Sequence, residues 1–296
     1  MRNEIEQLKK AVKFGESSRF RKLFKIPHRA LYNKLLKIVG TARSVDATTF
    51  WNRRMRVFLP EVVSSRIYKF GYFDEDVCVF LMEGLKPGMT FVDIGAHFGF
   101  FSLLANHLVG ENGRVISIDP TPSTFQVLTH NLTSNAEHQN YITHNIAAFD
   151  QNTSLSFFDY GVSNSGYNSL VGARLKSIDG SGASITVKAL RMDEVLLSDK
   201  VERVDLIKID AESAELNVLR GLIDTMKKFS PKIILEIGDT YVQETTKTRD
   251  LIDFMDKQGY QTFEMSPDFR IVKHELRENY DANHLKLYNL LFQRKN

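Results

Sequence analysis

Thr90-Phe-Val-Asp-Ile-Gly-Ala-His-Phe-Gly-Phe-Phe-Ser102 is the stretch that decides the fold of this chain. A mainly apolar run, Phe91 to Ile94, stops at Gly95; a second glycine stands at Gly99, and a further apolar run extends from Phe100 to Leu108. That succession predicts a buried strand, a tight turn and a helix start. Glycine at such a turn leaves the backbone open to a ligand, and the helix start offers N–H groups at its positive dipole end. A second run, Arg114-Val-Ile-Ser-Ile118, ends in Asp119. An acid about 20 residues beyond a glycine loop is where a carboxylate meets the ribose of a nucleotide in a βαβ unit.

Outward from this unit, the segment before it reads as two helical pieces broken near Pro27, then a strand over Arg54 to Leu59, with Glu61 to Ile67 expected to pair with it. Asp74 or Asp76 caps a helix through Val77 to Leu85, which Lys86-Pro87-Gly88 ends. Beyond the unit, Pro122 sits at a helix start, and Ser123 to Asn135 is predicted as helix. Tyr141 to Ala148 is a third strand. Asp150 to Val187, rich in Ser, Gly and Asn, reads as two strands, Leu155 to Phe158 and Ser184 to Val187, around a long loop. Asp205 to Asp210 is a fourth core strand, leading into a helix from Ala214 to Lys228, and Lys232 to Ile237 is a fifth. A helix over Thr248 to Gln258 and strands at Gly259 to Phe263 and His284 to Phe292 complete the pattern. Alternating strands and helices predict an α/β fold: a Rossmann-like, doubly wound, mostly parallel sheet with an antiparallel C-terminal strand. A short hairpin and a helical arm precede it. Ligands bind outside the carboxyl ends of such strands, where Gly95, Asp119 and Asp210 fall.

Composition matches an ordinary globular protein, 43% hydrophobic and 25% charged. The single cysteine, Cys78, lies in an apolar segment and is read as buried filler, which fits a reducing, cytoplasmic setting. No run reaches a membrane-spanning length, and Met1 to Lys10 lacks the apolar core of a signal peptide. The net charge of +3 hides an asymmetry: Met1 to Arg43 holds twelve basic and three acidic residues, net +9, which leaves −6 elsewhere. Two domains are expected: a basic helical arm, residues 1–48, and an α/β body, residues 49–296. The arm either packs on the body or a second subunit, making a homo-oligomer, or meets an acidic partner such as an anionic membrane surface or a protein. Nucleic acid ranks behind these, for want of an RNA-binding signature.

Four segments resemble the FkbM family of class I S-adenosylmethionine-dependent methyltransferases. They are Gly71-Tyr-Phe-Asp74, Phe91 to Ser102, Asp119-Pro-Thr-Pro122 and Asp205-Leu-Ile-Lys-Ile-Asp-Ala-Glu-Ser-Ala-Glu215. Asp93 stands where a dehydrogenase G-x-G-x-x-G would have its first glycine. The chain departs from the family at Asp74 and Asp119, where glutamate is more usual, at Ser213, where glycine is usual, and at His97, where asparagine is common. The resemblance implies O-methylation of a hydroxyl on a sugar, glycan or other natural-product acceptor, a small-molecule or glycan partner. It assigns Asp93, Gly95, Ala96, Gly99, Asp119, Pro120, Ala147 and Asp210 to the cofactor. Two rivals stay open: an NAD-dependent oxidoreductase, and a non-catalytic cofactor-binding scaffold that docks through its arm.

The chemical centre is expected at Asp210, Glu212 and Glu215. Glu212 and Glu215, three apart, share a face if the helix has begun. The three carboxylates either hold a hard divalent cation such as Mg²⁺, or raise one another's pKa until one serves as general base, or cap a helix. Lys208 is expected to pair with one of them. His97 is a further candidate to reach the acceptor. Glu236, Asp239, Asn168 and Ser169 are secondary acceptor contacts, and His144 and Asn145 lie near the expected adenine position. Phe98, Phe100 and Phe101 are read as packing.

Overall fold

In the computed structural model, the predicted strand–turn–helix unit forms the middle of the molecule; residues 2–18, 26–168, 170, 182–238, 246–274 and 288–295 are described. Helices α1 (Arg2–Glu16) and α2 (Pro27–Val39) precede a hairpin of β1 (Arg43–Thr48) and β2 (Arg54–Leu59). There follow α3 (Val62–Phe70), α4 (Glu75–Gly84), β3 (Thr90–Ile94), α5 (Phe100–Val109), β4 (Arg114–Ile118), α6 (Pro122–Asn135) and β5 (Tyr141–His144). Next come β6 (Ala147–Phe149), β7 (Thr153–Asp159), β8 (Ala183–Arg191), α7 (Met192–Ser198), β9 (Leu206–Ile209), α8 (Glu215–Arg220) and α9 (Ile223–Phe229). The chain ends with β10 (Lys232–Ile237), α10 (Thr248–Lys257), β11 (Tyr260–Met265), β12 (Ile271–Lys273) and β13 (Tyr288–Arg294).

The main sheet has the order β12-β11-β13-β10-β9-β3-β4-β5. The five strands from β10 to β5 are parallel; β13, β11 and β12 pair antiparallel. The chain winds outward from β3 to β5 and then returns to β9 on the other side of β3. That reversal opens a crevice at the carboxyl ends of β3 and β9, the expected place for a ligand. A small sheet, β6-β8-β7, stands beside it.

The central strands are buried on both faces and successive side chains point to opposite sides, so each strand feeds two cores. Phe91, Val115, Leu206, Ile234 and Leu291 pack toward α4 and α5. Val92, Ile116, Ile207, Ile233 and Leu290 pack toward α7, α8 and α10 on the other face. Leu8 and Val12 of α1 are buried in the first core, and β1 pairs with β2 from Arg43↔Leu59 to Thr48↔Arg54. The expected domain limit at residue 48 thus falls at the end of a paired strand. Cys78 is buried, and no helix of the described residues is long and apolar enough to cross a membrane.

Several local expectations need correction. Glu61 to Ile67 does not pair with β2: Glu61 caps α3, its carboxylate accepting the N–H groups of Val63 at 2.8 Å and Ser64 at 2.6 Å. The third strand divides into β5 and β6, which belong to different sheets. The helix expected over Ala214 to Lys228 breaks in two around Gly221, where a Cβ would lie 2.0 Å from the carbonyl oxygen of Phe149. The C-terminal strand β13 is antiparallel to β10 as expected, and the short β12, antiparallel to β11, adds an edge that was not anticipated; residues 284–287 of the last predicted strand lie outside the described residues.

Candidate active site

At the carboxyl ends of the central strands lies a cavity of about 310 Å³. Gly95, Ala96 and His97 line it after β3, Asp119, Pro120 and Thr121 after β4, and Ala147 and Ala148 from β6. Lys208, Asp210 and Glu212 line it from β9 and beyond, with Glu236 from β10, Glu61 and Val63 from the start of α3, and Asn168 from the long loop.

The glycine loop is held by its own hydrogen bonds. The N–H groups of Gly95 and Ala96 both donate to the carbonyl of Ile118 at 2.9 Å, and that of Gly99 donates to Ala96 at 2.8 Å. The N–H of His97 donates to Asp119 Oδ2 at 2.9 Å. These four groups are therefore engaged, not free for an anion. The reason for glycine is also different from the one expected. A Cβ on Gly95, whose φ is +75°, would lie 1.8 Å from the Asp210 carbonyl oxygen, so bare backbone is demanded by the approach of β9. Gly99 faces Leu128 rather than the cavity.

Asp119 is buried in the cavity wall. Besides His97 it receives the N–H of Thr121 at 3.0 Å and the hydroxyl of Thr124. Burial pushes its carboxyl up to about 7, against these three bonds, which favour the ionised form. Asn145 braces this turn through the carbonyls of Asp119 (2.9 Å) and Pro120 (3.0 Å), while His144 pairs with Asp199 at 2.7 Å. His97 sits at φ +51°, its ring stacked on Phe98 and its Nε2 2.7 Å from Ser165 Oγ. Burial lowers its pKa, against the pull of Glu61 and Asp210, so the ring is held neutral.

Beneath the cavity runs a buried polar row. In register across the sheet, Asp93 of β3 stands between Ser117 of β4 and Lys208 of β9. Ser102 donates to Asp93 Oδ2 at 2.6 Å and receives the hydroxyl of Ser117 at 2.8 Å. Burial raises Asp93, opposed by the charge of Lys208 and the Ser102 bond. Asp93 does not line the cavity, which corrects its assignment as a cofactor contact: it anchors the loop from below. Lys208 Nζ reaches Asp210 Oδ2 at 3.0 Å, as its place in the strand suggests, and lies 5.2 Å from the Phe101 ring centre. Burial opposes its charge, but Asp210 and Asp93 more than restore it. Glu236 is hydrogen-bonded to Asp210; burial, then the charges of Asp210 and Asp74, raise its pKa well above the carboxylate range. Asp74, at φ +41°, is pushed up to about 7 by burial and by Asp76 and Asp210.

The three acids expected as one centre do not act as one. Glu215 does not line the cavity. Its Oε1 accepts the N–H groups of Ala211 and Ser213, each at 3.1 Å, closing the turn before α8; burial pushes it up to about 7. Asp210 turns to Lys208 and Glu215 to backbone N–H groups, so the trio is not gathered around one point. Among the described residues no group of three or more His, Cys, Asp or Glu is placed to hold a metal ion. Asp210, Glu212, His97, Gly95, Ala96, Asp119, Pro120 and Ala147 do meet at the cavity, and Asn168 and Phe98, Phe100 and Phe101 border it. Ser169 and Asp239 lie outside the described residues. Glu61 was not anticipated, because its place depends on α3 packing against the β1–β2 hairpin. Lys208 and Glu236 carried a signal: charged residues at inward positions of otherwise apolar strands.

With this geometry in view, the comparisons are decisive for family. A model of the methyltransferase FkbM domain matches residues 93–262, more than half of the chain. The chain belongs to the FkbM methyltransferase family. It is 24% identical over 164 residues to the hexuronic acid methyltransferase AglP of Haloferax volcanii, a match covering 55% of this chain and 62% of that protein. It is also 24% identical over 185 residues to the 31-O-demethyl-FK506 methyltransferase FkbM of Streptomyces tacrolimicus, covering 52% and 67%. A solved FkbM methyltransferase from Methylobacillus flagellatus KT is 15% identical, with a TM-score of 0.41, covering 79% of this chain and 56% of that one.

The departure at Ser213 now has a physical meaning. Its φ is +84°, beside Glu212 at +50°, a region in which side chains are strained and glycine is not. Ser213→Gly should raise stability by about 1 kcal/mol, read as a higher melting temperature; a lower one would show that the hydroxyl holds this turn. A second expectation concerns pH. Asp74, Asp119 and Glu215 sit at about 7 when folded, against about 4 when unfolded. Between these values the folded chain retains protons that the unfolded chain has released, so raising the pH draws the equilibrium toward unfolding. The melting temperature of the ligand-free protein should fall as pH rises through this window, less steeply in Glu215→Gln. A melting temperature that climbs over the same range would contradict it.

Proposed function

We propose that this chain is an S-adenosylmethionine-dependent O-methyltransferase acting on a hydroxyl of a sugar, glycan or other natural-product acceptor. The observation that carries it is the charge of the cavity. Glu61, Asp119, Asp210, Glu212 and Glu236 line it, and Lys208, already paired with Asp210, is the one Lys or Arg among the described lining residues. A sulfonium nucleoside is cationic and suits such a lining; the pyrophosphate of a dinucleotide does not, and the engaged N–H groups of Gly95, Ala96, His97 and Gly99 leave it no cradle there. This favours methyl transfer over the oxidoreductase alternative. The names of the AglP and FkbM relatives support a sugar-acid or natural-product acceptor.

In this reading Asp119 accepts hydrogen bonds from the ribose, and Gly95, Ala96, Pro120 and Ala147 wall the nucleoside. The cofactor, when bound, supplies an electrophilic methyl on sulfur. This chain's residues orient the acceptor and take its proton. Asp210 and Glu236 hydrogen-bond to each other beside Lys208, so one carboxyl stays ionised while the other holds a proton. The ionised member is the general base for the acceptor hydroxyl, and the neutral ring of His97 orients that hydroxyl. The scheme routes no step through a divalent cation; among the described residues Asp210, Glu212 and Glu215 form no ligand set.

Calorimetry should show S-adenosylhomocysteine binding that Asp119→Ala weakens tenfold or more, about 1.4 kcal/mol, with no heat from NAD. Asp210→Asn, which removes the ionised carboxylate beside Lys208, should keep that affinity yet lower methyl incorporation from labelled S-adenosylmethionine into a glycan extract by about 100-fold. Unchanged affinity in Asp119→Ala would remove the ribose assignment, and full turnover in Asp210→Asn would remove the base.

A further inference from the structure

We infer that the outer face of α2 docks on an anionic lipid surface. Leu31, Leu35, Ile38 and Val39 recur at i, i+4, i+7 and i+8, which places them on one stripe of the helix. They are 69%, 52%, 73% and 62% exposed. Beyond these and Tyr32, the other large exposed hydrophobics among the described residues are Val62 and Leu197. Apolar exposure is thus gathered on one helix rather than scattered over the surface, the mark of an interaction site.

The helix is fixed with this stripe outward. On its inner side Leu36 is buried, Asn33 Oδ1 accepts the Ser65 hydroxyl at 3.0 Å, and Arg29 Nη1 donates to the Tyr68 carbonyl at 2.8 Å. Both hydrogen bonds reach α3, whose first turn lines the cavity through Glu61 and Val63. A left-handed Gly40 ends α2, its N–H returning to the Leu36 carbonyl at 3.0 Å.

Charge identifies the occupant. Residues 17–45 contain eight Lys or Arg and no Asp or Glu, and Lys34 and Lys37 lie exposed on α2 itself. A two-fold contact with a second copy would set these cations against their own counterparts. A lipid surface bearing negative headgroups accepts both the apolar stripe and its cations, as amphipathic helices lying in an interface do. Docking there would hold the cavity one helix away from the bilayer.

The test uses the full chain with vesicles of phosphatidylcholine alone, or with added phosphatidylglycerol. The chain should sediment with the anionic vesicles only and be released by high salt. Leu35→Ser/Ile38→Ser and, separately, Lys34→Glu/Lys37→Glu should each lower partitioning about tenfold or more, with the melting temperature unchanged because all four positions are exposed. Failure to sediment with anionic vesicles would overturn the inference, as would equal binding to both vesicle types or undiminished binding by the two variants. A dimer in light scattering that Leu35→Ser/Ile38→Ser dissociates, with no vesicle binding, would assign the stripe to self-association instead. None of these readouts depends on S-adenosylmethionine, so the outcome is separate from that of the methyl-transfer proposal.

Discussion

A buried ammonium among carboxylates is the constraint on which the site depends. Lys208 sits in the middle of the sheet, with Asp93 on the neighbouring strand, Asp210 two residues on and Glu236 facing the same cavity. A charge taken out of water is retained only if it is paired, and breaking such a pair is far more costly than forming it is favourable. Lys208 therefore fixes where its acidic neighbours stand. It also allows several carboxyl groups to share a small volume, because a cation at their centre offsets their mutual repulsion. Burial and the charges of Asp210 and Asp74 make Glu236 the member of its pair that holds a proton.

The same economy governs the glycine loop. Its N–H groups close on Ile118, Ala96 and Asp119, and Asp119 in turn is braced by Thr121 and Thr124. The loop is thus shaped by its own bonds before any ligand arrives, which lowers the ordering cost of binding. Gly95 is required by the approach of the Asp210 carbonyl, so the turn after β3 and the turn after β9 are locked together. A change at either turn would be felt at both, which links the Asp119 side of the cavity to the carboxylate pair.

Much of this was legible in the residues. The strand–glycine–helix unit, the acid after β4 and the acid after β9 marked the crevice, because hydrophobic periodicity reports local geometry directly. Glu61 to Ile67 differs from the strand its sequence suggests because a short mixed segment suits a strand or a helix equally, and the cap made by the Glu61 side chain decides for helix. Glu215 was misplaced for a related reason. Its position in the sequence beside Asp210 and Glu212 says nothing of which way it turns, and two backbone N–H groups claimed it. The division of the long helix at Gly221 depends on β6, an element remote in sequence.

What the sequence determined by itself was the order of strands and helices, the two turns that carry Gly95 and Asp119, and the basic character of the segment before the body. Those features follow from periodicity, backbone preference and charge, all of which act over a few neighbouring residues. Only the tertiary structure decided which carboxylates share the cavity, which are spent on backbone N–H groups, and which face of α2 is left uncovered. These outcomes turn on burial and on partners brought from distant parts of the chain, and so they exist only once the sheet has closed.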